Sequence, residues 1–166
     1  CAVAGVDAGP VLANTARRLE RRRFALRGEI GSAEFLSGPQ TVFCPACLRD
    51  DDALAGCTAV NRRGRFIWTL RVVRTCPIHG LPLLRRARER WDDQFHELDV
   101  RVPEDGAALD DMIAALDPRS VSPLQDYVTR RLEGETGPNW LDAQPLECAI
   151  RATEMLGVLV AFGAGA

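Results

Sequence analysis

Two short cysteine motifs constrain this chain more than any other feature of its sequence. The first spans residues 44–47 (Cys-Pro-Ala-Cys), and the second, 28 residues further on, spans 76–79 (Cys-Pro-Ile-His). A gap of two residues lets both side chains of a pair reach one ion, and two such pairs together make a tetrahedral Cys3His set. The sequence therefore predicts one structural Zn²⁺ with four protein ligands: Cys44, Cys47, Cys76 and His79.

A catalytic zinc does not fit this pattern, because a catalytic site keeps one coordination position for water. The deaminase pattern also fails, since it needs a proline directly before a Cys-x-x-Cys and a histidine upstream. Here Phe43 precedes Cys44, and no histidine comes before His79. Redox chemistry at the first pair is the alternative, but it leaves the second motif unexplained.

The sequence predicts no metal-binding or catalytic role for two of the remaining cysteines or for the other histidine. Cys57 and Cys148 lie in apolar sequence and are predicted to be small core residues. His96 lies among acidic residues and is interpreted as a solvated histidine, with a metal or acid–base cluster as the alternative. Neither a nucleophile elbow nor a glycine-rich phosphate loop is found. We therefore predict no catalytic residue and no enzymatic activity.

Composition indicates a globular protein in a reducing compartment. The 166 residues are 46% hydrophobic, and no apolar stretch is long enough for a membrane span. No secretion signal is recognised, which together with the paired thiols predicts a cytoplasmic location. The chain does not begin with Met, which predicts a fragment or a processed product.

Charge is distributed unevenly along the chain. All 21 basic residues are arginine, and the formal net charge is −2. Residues 1–90 hold 16 arginines and 8 acids, for a net charge of +8, whereas residues 91–166 hold 5 arginines and 15 acids, for −10. Either the basic half faces nucleic acid or an acidic partner, or the two halves neutralise each other in the fold. The arginines proposed to contact nucleic acid or a partner are Arg17, Arg18, Arg21, Arg22, Arg62, Arg63, Arg65 and Arg86.

The residue pattern predicts an α+β fold that is mainly helical, with a small zinc-ribbon-like β-hairpin at the metal site. Helices are expected at 11–24, 107–116, 123–132 and 145–161, and strands at 41–43 and 66–73. Asp50 to Asp52 are expected to cap a short segment at 53–57. The expected division is a basic helical segment (1–40), a zinc module (41–84) and a C-terminal helical module (85–166).

At these residues the chain resembles the TniQ family of transposition proteins. The resemblance rests on Phe43 to Asp50, on Trp68, and on Val73 to Leu83, which includes Cys-Pro-x-His-Gly. Weaker similarity continues at 122–128, 140–142 and 154–157. The chain departs from the family in two ways, because residues before Cys44 are too few for a full N-terminal helix-turn-helix part and no second zinc motif follows His79.

The resemblance implies a cytoplasmic, bacterial accessory protein that selects or links transposition targets and does not cut DNA itself. Its implied partners are an AAA+ transposition regulator or the transposase, and in some members an RNA-guided CRISPR effector complex. Direct contact with DNA and a homodimer are left open. Three hypotheses follow: a zinc-binding adaptor, a zinc-stabilised DNA-binding or regulatory module that uses its arginines, and a structural domain of a larger enzyme.

Overall fold

The computed structural model describes residues 5, 7–54, 59–87 and 97–163. Helices and short antiparallel strands are both present in this part of the chain, which confirms the predicted α+β class. In chain order the regular elements are α1 (Ala8–Ala13), β1 (Arg17–Arg18), β2 (Arg23–Leu26), β3 (Glu29–Ser32), β4 (Gln40–Phe43), α2 (Pro45–Ala53), β5 (Leu84–Ala87), α3 (Leu98–Arg101), α4 (Gly106–Ala114), α5 (Pro123–Leu132), α6 (Asn139–Asp142) and α7 (Leu146–Phe162). Single 3₁₀ turns lie at Ala33–Phe35, Ala59–Asn61 and Phe66–Thr69.

The chain forms two compact units, of which residues 36–122 contain the two cysteine motifs. In this unit β4 pairs antiparallel with β5, with Gln40 opposite Ala87 and Phe43 opposite Leu84. Helix α2 packs on α4. The core is made by side chains from these elements and from the chain between them, including Phe43, Leu48, Leu70, Val73 and Leu109.

The other unit combines residues 1–35 with residues 123–166. Its sheet has the order β1-β2-β3, and α7 packs on β3 and also on α5 and α6. Leu26, Val128, Leu132, Leu146 and Ile150 form its buried apolar centre. Beyond Thr153 the side chains of α7 are exposed, including those of Met155 and Leu156.

Two predicted elements are wrong. Residues 11–24, predicted as one helix, end their helix at Ala13 and then turn into β1 and β2. Residues 66–73, predicted as a strand, begin with the 3₁₀ turn Phe66–Thr69. Trp68 and Leu70 are both buried, so this segment keeps the alternating burial that predicts a strand, although its backbone forms a turn.

The other predicted elements agree with the structure to within a few residues. The strand at 41–43 is β4, and the helices at 107–116, 123–132 and 145–161 are α4, α5 and α7. The division into modules 1–40, 41–84 and 85–166 stays a prediction. None of the helices described is both long and apolar enough to span a membrane.

Candidate metal centre

Strand β4 and helix α2 position the first pair of predicted ligands. Cys44 is the N-cap of α2, Pro45 occupies the first helical turn, and Cys47 follows within that turn. Proline is favoured here because its fixed φ suits a helix start and its missing N–H has no partner to lose. The helix start therefore holds both sulfurs on one side, and both cysteines are buried.

A tight turn positions the second pair. The Cys76 N–H donates to the Leu81 carbonyl oxygen at 2.8 Å, and the Gly80 N–H donates to the Cys76 carbonyl oxygen at 2.9 Å. Gly80 has φ +63°, a left-handed conformation that glycine adopts without a Cβ penalty. The turn thereby brings Cys76 and His79 to face the first pair.

Four ligand atoms, one from each predicted ligand, lie within 4.8 Å of one another and could hold a metal ion. The Nδ1 atom of His79 lies 3.7 Å from Cys44 Sγ, 3.4 Å from Cys47 Sγ and 3.6 Å from Cys76 Sγ. Cys47 Sγ and Cys76 Sγ are 3.6 Å apart. The structure thus brings the four residues together as the spacing predicted.

These distances fit a tetrahedral zinc ion. Zinc bound at about 2.3 Å from sulfur and about 2.0 Å from nitrogen separates two sulfurs by about 3.8 Å, and a sulfur from a nitrogen by about 3.5 Å. Each measured separation is within a few tenths of an ångström of these values. Three soft thiolates with one imidazole are also the donors that zinc prefers in structural sites.

Asp50 orients the histidine ligand. Its carboxylate oxygen lies 3.0 Å from Nε2 of His79, on the side of the ring away from the cysteines. When Nε2–H donates to Asp50, the lone pair of Nδ1 is directed at the three sulfurs. A carboxylate in this position is a common partner of metal-binding histidines, because it fixes the tautomer and the ring orientation. The sequence analysis missed this role.

Contacts among the three thiols shift the pKa values of Cys47 and Cys76 in opposite directions. Hydrogen bonds from Cys44 and Cys47, and from the His79 backbone, lower the pKa of Cys76. Contacts with Cys44 and then Cys76, together with burial, raise the pKa of Cys47. A metal ion bound among the three sulfurs would stabilise their thiolate forms.

The acidic residues after the first motif bind the arginines of the following loop. Asp51 accepts from the Arg63 N–H at 3.0 Å and from two nitrogens of Arg65 at 2.9 Å each. Its side chain is 2% exposed. Asp50 to Asp52 lie inside α2 and do not cap a later segment, so that prediction is wrong.

Arg62 is the most enclosed of these arginines, with a side chain 2% exposed. It makes a two-pronged ion pair with Asp52, at 2.8 and 2.6 Å, and it also donates to the carbonyl oxygens of Val102 and Glu104. Arg86 likewise pairs with the Glu104 carboxylate and donates to the Arg101 carbonyl oxygen. These bonds account for both arginines without an external partner.

The other proposed contact residues lie at the surface. Arg63 is 67% exposed and keeps one side-chain bond to Asp51, at 3.3 Å. Arg65 stacks over Trp68, with 5.4 Å between its guanidinium carbon and the ring centroid. Arg17, Arg18, Arg21 and Arg22 are exposed on β1 and on the turn that follows it. Contact of any of these residues with nucleic acid or a partner stays a prediction.

Arg119 is a further residue that the sequence analysis missed. Its N–H donates to the Gly80 carbonyl oxygen at 2.7 Å, and its side chain donates to the Thr75 hydroxyl at 2.9 Å and to the Arg74 carbonyl oxygen. It thus braces the second turn from a segment about 40 residues away in the chain. No short-range pattern marks this contact, because Arg119 follows a Pro in an otherwise irregular stretch.

Cys148 is exposed on α7 and is not the core residue that was predicted. Cys57 and His96 lie outside the described residues, so their predicted roles are not addressed.

Comparison with known proteins identifies a family for the segment that carries the cluster. The family model described as TniQ matches residues 1–83, which is half of the chain and includes all four ligands. No curated protein and no solved structure was found to match the chain.

Proposed function

Since the chain belongs to the TniQ family, which gives it a transposition-associated role, we propose that it is a non-enzymatic zinc-binding adaptor in DNA transposition. The observation that carries this proposal is the closed Cys3His cluster within the segment that matches the family. Four buried or half-buried protein ligands leave a bound ion no position for water, so its contribution is structural.

Cys44, Cys47, Cys76 and His79 would hold a single Zn²⁺. The ion would join the start of α2 to the second turn and so cross-link the two ends of the chain between them. Bound structural zinc contributes about 10 kcal/mol or more of apparent folding free energy in small metal-binding modules. The bound ion would therefore hold the partner-facing surface in one conformation.

The adaptor would link target recognition to the AAA+ transposition regulator or the transposase, with an RNA-guided CRISPR effector complex as a recognition partner. Internal pairing of two of the arginines proposed as contacts favours a protein partner over a phosphate backbone for this unit. The guanidinium groups of Arg62 and Arg86 pair with internal carboxylates and donate to internal carbonyl oxygens. Because transposition acts on DNA inside the bacterial cell, a cytoplasmic location is part of the proposal.

Co-purification tests the adaptor function. The tagged protein is expressed in its host and purified with and without nuclease, and the proteins that co-elute are identified by mass spectrometry. We expect the ATPase or the transposase to remain bound after nuclease treatment. Cys76→Ser should lose this partner together with the metal, whereas Cys148→Ser, which changes an exposed cysteine outside the cluster, should keep both.

Recovery of DNA alone, lost as salt is raised, would overturn the adaptor and favour the alternative, a zinc-stabilised DNA-binding or regulatory module. Failure to recover either protein partner at any salt concentration would also contradict the proposal.

A further inference from the structure

The hairpin of β1 and β2 carries a group of arginines that have no partner among the residues that the structure describes. We call residues 17–26 the arginine hairpin. Its exposed arginines have no side-chain hydrogen bond or ion pair with any residue that the structure describes; they are Arg17, Arg18, Arg21, Arg22 and Arg23. Their single acidic neighbour in this stretch, Glu20, is exposed and forms no ion pair with the described residues.

Elsewhere the protein satisfies its arginines internally. Among the residues described, every arginine outside the hairpin except Arg71 has a hydrogen bond, an ion pair or another internal interaction. A high arginine content therefore does not by itself explain the hairpin. Its cationic groups are concentrated in one place and left available.

The tip of the hairpin is strained. Arg21 and Arg22 have φ +54° and +61°, and the Arg23 N–H donates to the Glu20 carbonyl oxygen at 3.2 Å. Two successive left-handed residues closed by this bond make a type I′ turn, for which Asn-Gly is strongly preferred. Two arginines at these positions carry strain that no hydrogen bond or ion pair of their side chains to the described residues offsets, and such strain is concentrated at functional positions.

The hairpin can present positive charge to two phosphate strands at once. Arg17 pairs with Ala25 and Arg18 with Phe24, and neighbouring residues of a strand point to opposite faces. Arg21 and Arg22 lie beyond both at the tip. The major groove of DNA, about 12 Å wide, admits a two-stranded β-ribbon and has a phosphate backbone on each side.

We propose that the arginine hairpin binds duplex DNA through its phosphate backbone, without reading the base sequence. Arginine suits this role because its planar guanidinium makes paired hydrogen bonds to phosphate oxygens. The inference goes beyond the adaptor function and does not rest on it, since the hairpin and the metal cluster lie in different compact units. The hairpin lies within the segment that matches the family.

The decisive variant is Arg21→Asn combined with Arg22→Gly. It supplies the turn residues that the backbone prefers, so the hairpin should form at least as well, with an unchanged or higher Tm. At the same time it removes two of the proposed phosphate contacts. Loss of DNA binding by a variant that is no less stable cannot be attributed to unfolding.

Binding is measured by fluorescence anisotropy with a 20-base-pair duplex of arbitrary sequence and with one of its single strands, over a range of NaCl concentrations. We expect the wild-type protein to prefer the duplex. The variant should bind the duplex about tenfold more weakly at low salt, with a slope of log K against log salt lower in magnitude by about 2.

Arg130→Gln combined with Arg151→Gln is the matched control, because it also removes two exposed positive charges, in this case charges with carboxylate partners. This control should bind DNA like the wild type. The proposal is overturned if the wild type does not bind the duplex, if it binds the single strand as tightly, if the Arg21/Arg22 variant keeps the wild-type slope, or if the control weakens equally.

Discussion

The carboxylate of Asp50 determines which nitrogen of His79 faces the cysteines. A histidine side chain can bind a metal ion through either ring nitrogen. Which nitrogen binds depends on the hydrogen bond that the other one makes. Here Nε2 lies 3.0 Å from Asp50, and Nδ1 lies within 3.7 Å of all three sulfurs. Asp50 therefore prepares the site before the ion arrives, although its own side chain remains largely exposed.

Removal of this carboxylate should weaken metal binding without abolishing it. We expect Asp50→Ala to lower the affinity for Zn²⁺ by about tenfold or more, the usual effect of losing a hydrogen-bond partner of a ligand. The affinity is measured by competition with a chromophoric chelator. Asp111→Ala, which removes an exposed carboxylate on α4, is the control and should leave the affinity unchanged. Equal affinities for the two variants would contradict the role given to Asp50.

Helix α2 organises its unit through three successive carboxylates. Residues that follow one another on a helix are about 100° apart around its axis, so the three side chains diverge: Asp50 to His79, Asp51 to Arg63 and Arg65, and Asp52 to Arg62. One helix thereby holds both the second metal-binding turn and the loop between the motifs. Two of the carboxylates thereby pair with three arginines of that loop.

Loss of the Asp51 charge should destabilise this unit. Asp51→Asn leaves the Arg63 N–H and the half-buried guanidinium of Arg65 without their carboxylate, and we expect a loss of about 2 kcal/mol in the free energy of unfolding. Asp126→Asn, which removes an exposed carboxylate that pairs with Arg130, should cost less than about 1 kcal/mol. Denaturant unfolding of the zinc-loaded proteins at pH 7 measures both.

The wild type and Asp51→Asn also test how the stabilisation from Asp51 depends on pH. Burial raises the pKa of Asp51, but hydrogen bonds from Arg65 and Arg63 outweigh it, so the pKa is lowered overall. A lowered pKa gives stability above the unfolded value of about 3.9, and this stability is lost as the pH falls further. The difference between wild type and Asp51→Asn should therefore be constant from pH 7 to about 5 and shrink below about 4. A difference that grew with acidification would contradict the ion pair.

Sequence reasoning located the ligands and most helices but not the contacts between distant segments. The four ligands are marked by local spacing, and α4, α5 and α7 are marked by apolar periodicity and by Pro at the starts of α5 and α7. The triple aspartate was assigned to a cap because its real partners lie 10 to 29 residues away. The turn at Arg21 and Arg22 is not predicted from the sequence for another reason. Arginine is a residue type that favours helices, and it is not one of the types that favour turns.

The fold pairs some basic residues of the first half of the chain with acidic residues of the second half. Arg49 pairs with Asp110, and Arg86 pairs with Glu104, each from the basic half to the acidic half. Within the part of the chain that the structure describes, the arginine hairpin is a basic segment without carboxylate partners. The candidate metal cluster and the exposed arginines of the hairpin thus lie in different compact units.

The central claim, a structural zinc ion held by four protein ligands, is tested most directly by the metal content of the purified protein. Mass spectrometry of protein purified without added metal should find one zinc per chain in the wild type and in Cys148→Ser. Cys76→Ser should lose the zinc and unfold the region from Thr41 to Leu84, since the ion is expected to supply most of the stability there. A wild-type chain without zinc, or Cys76→Ser with one zinc per chain, would contradict the account.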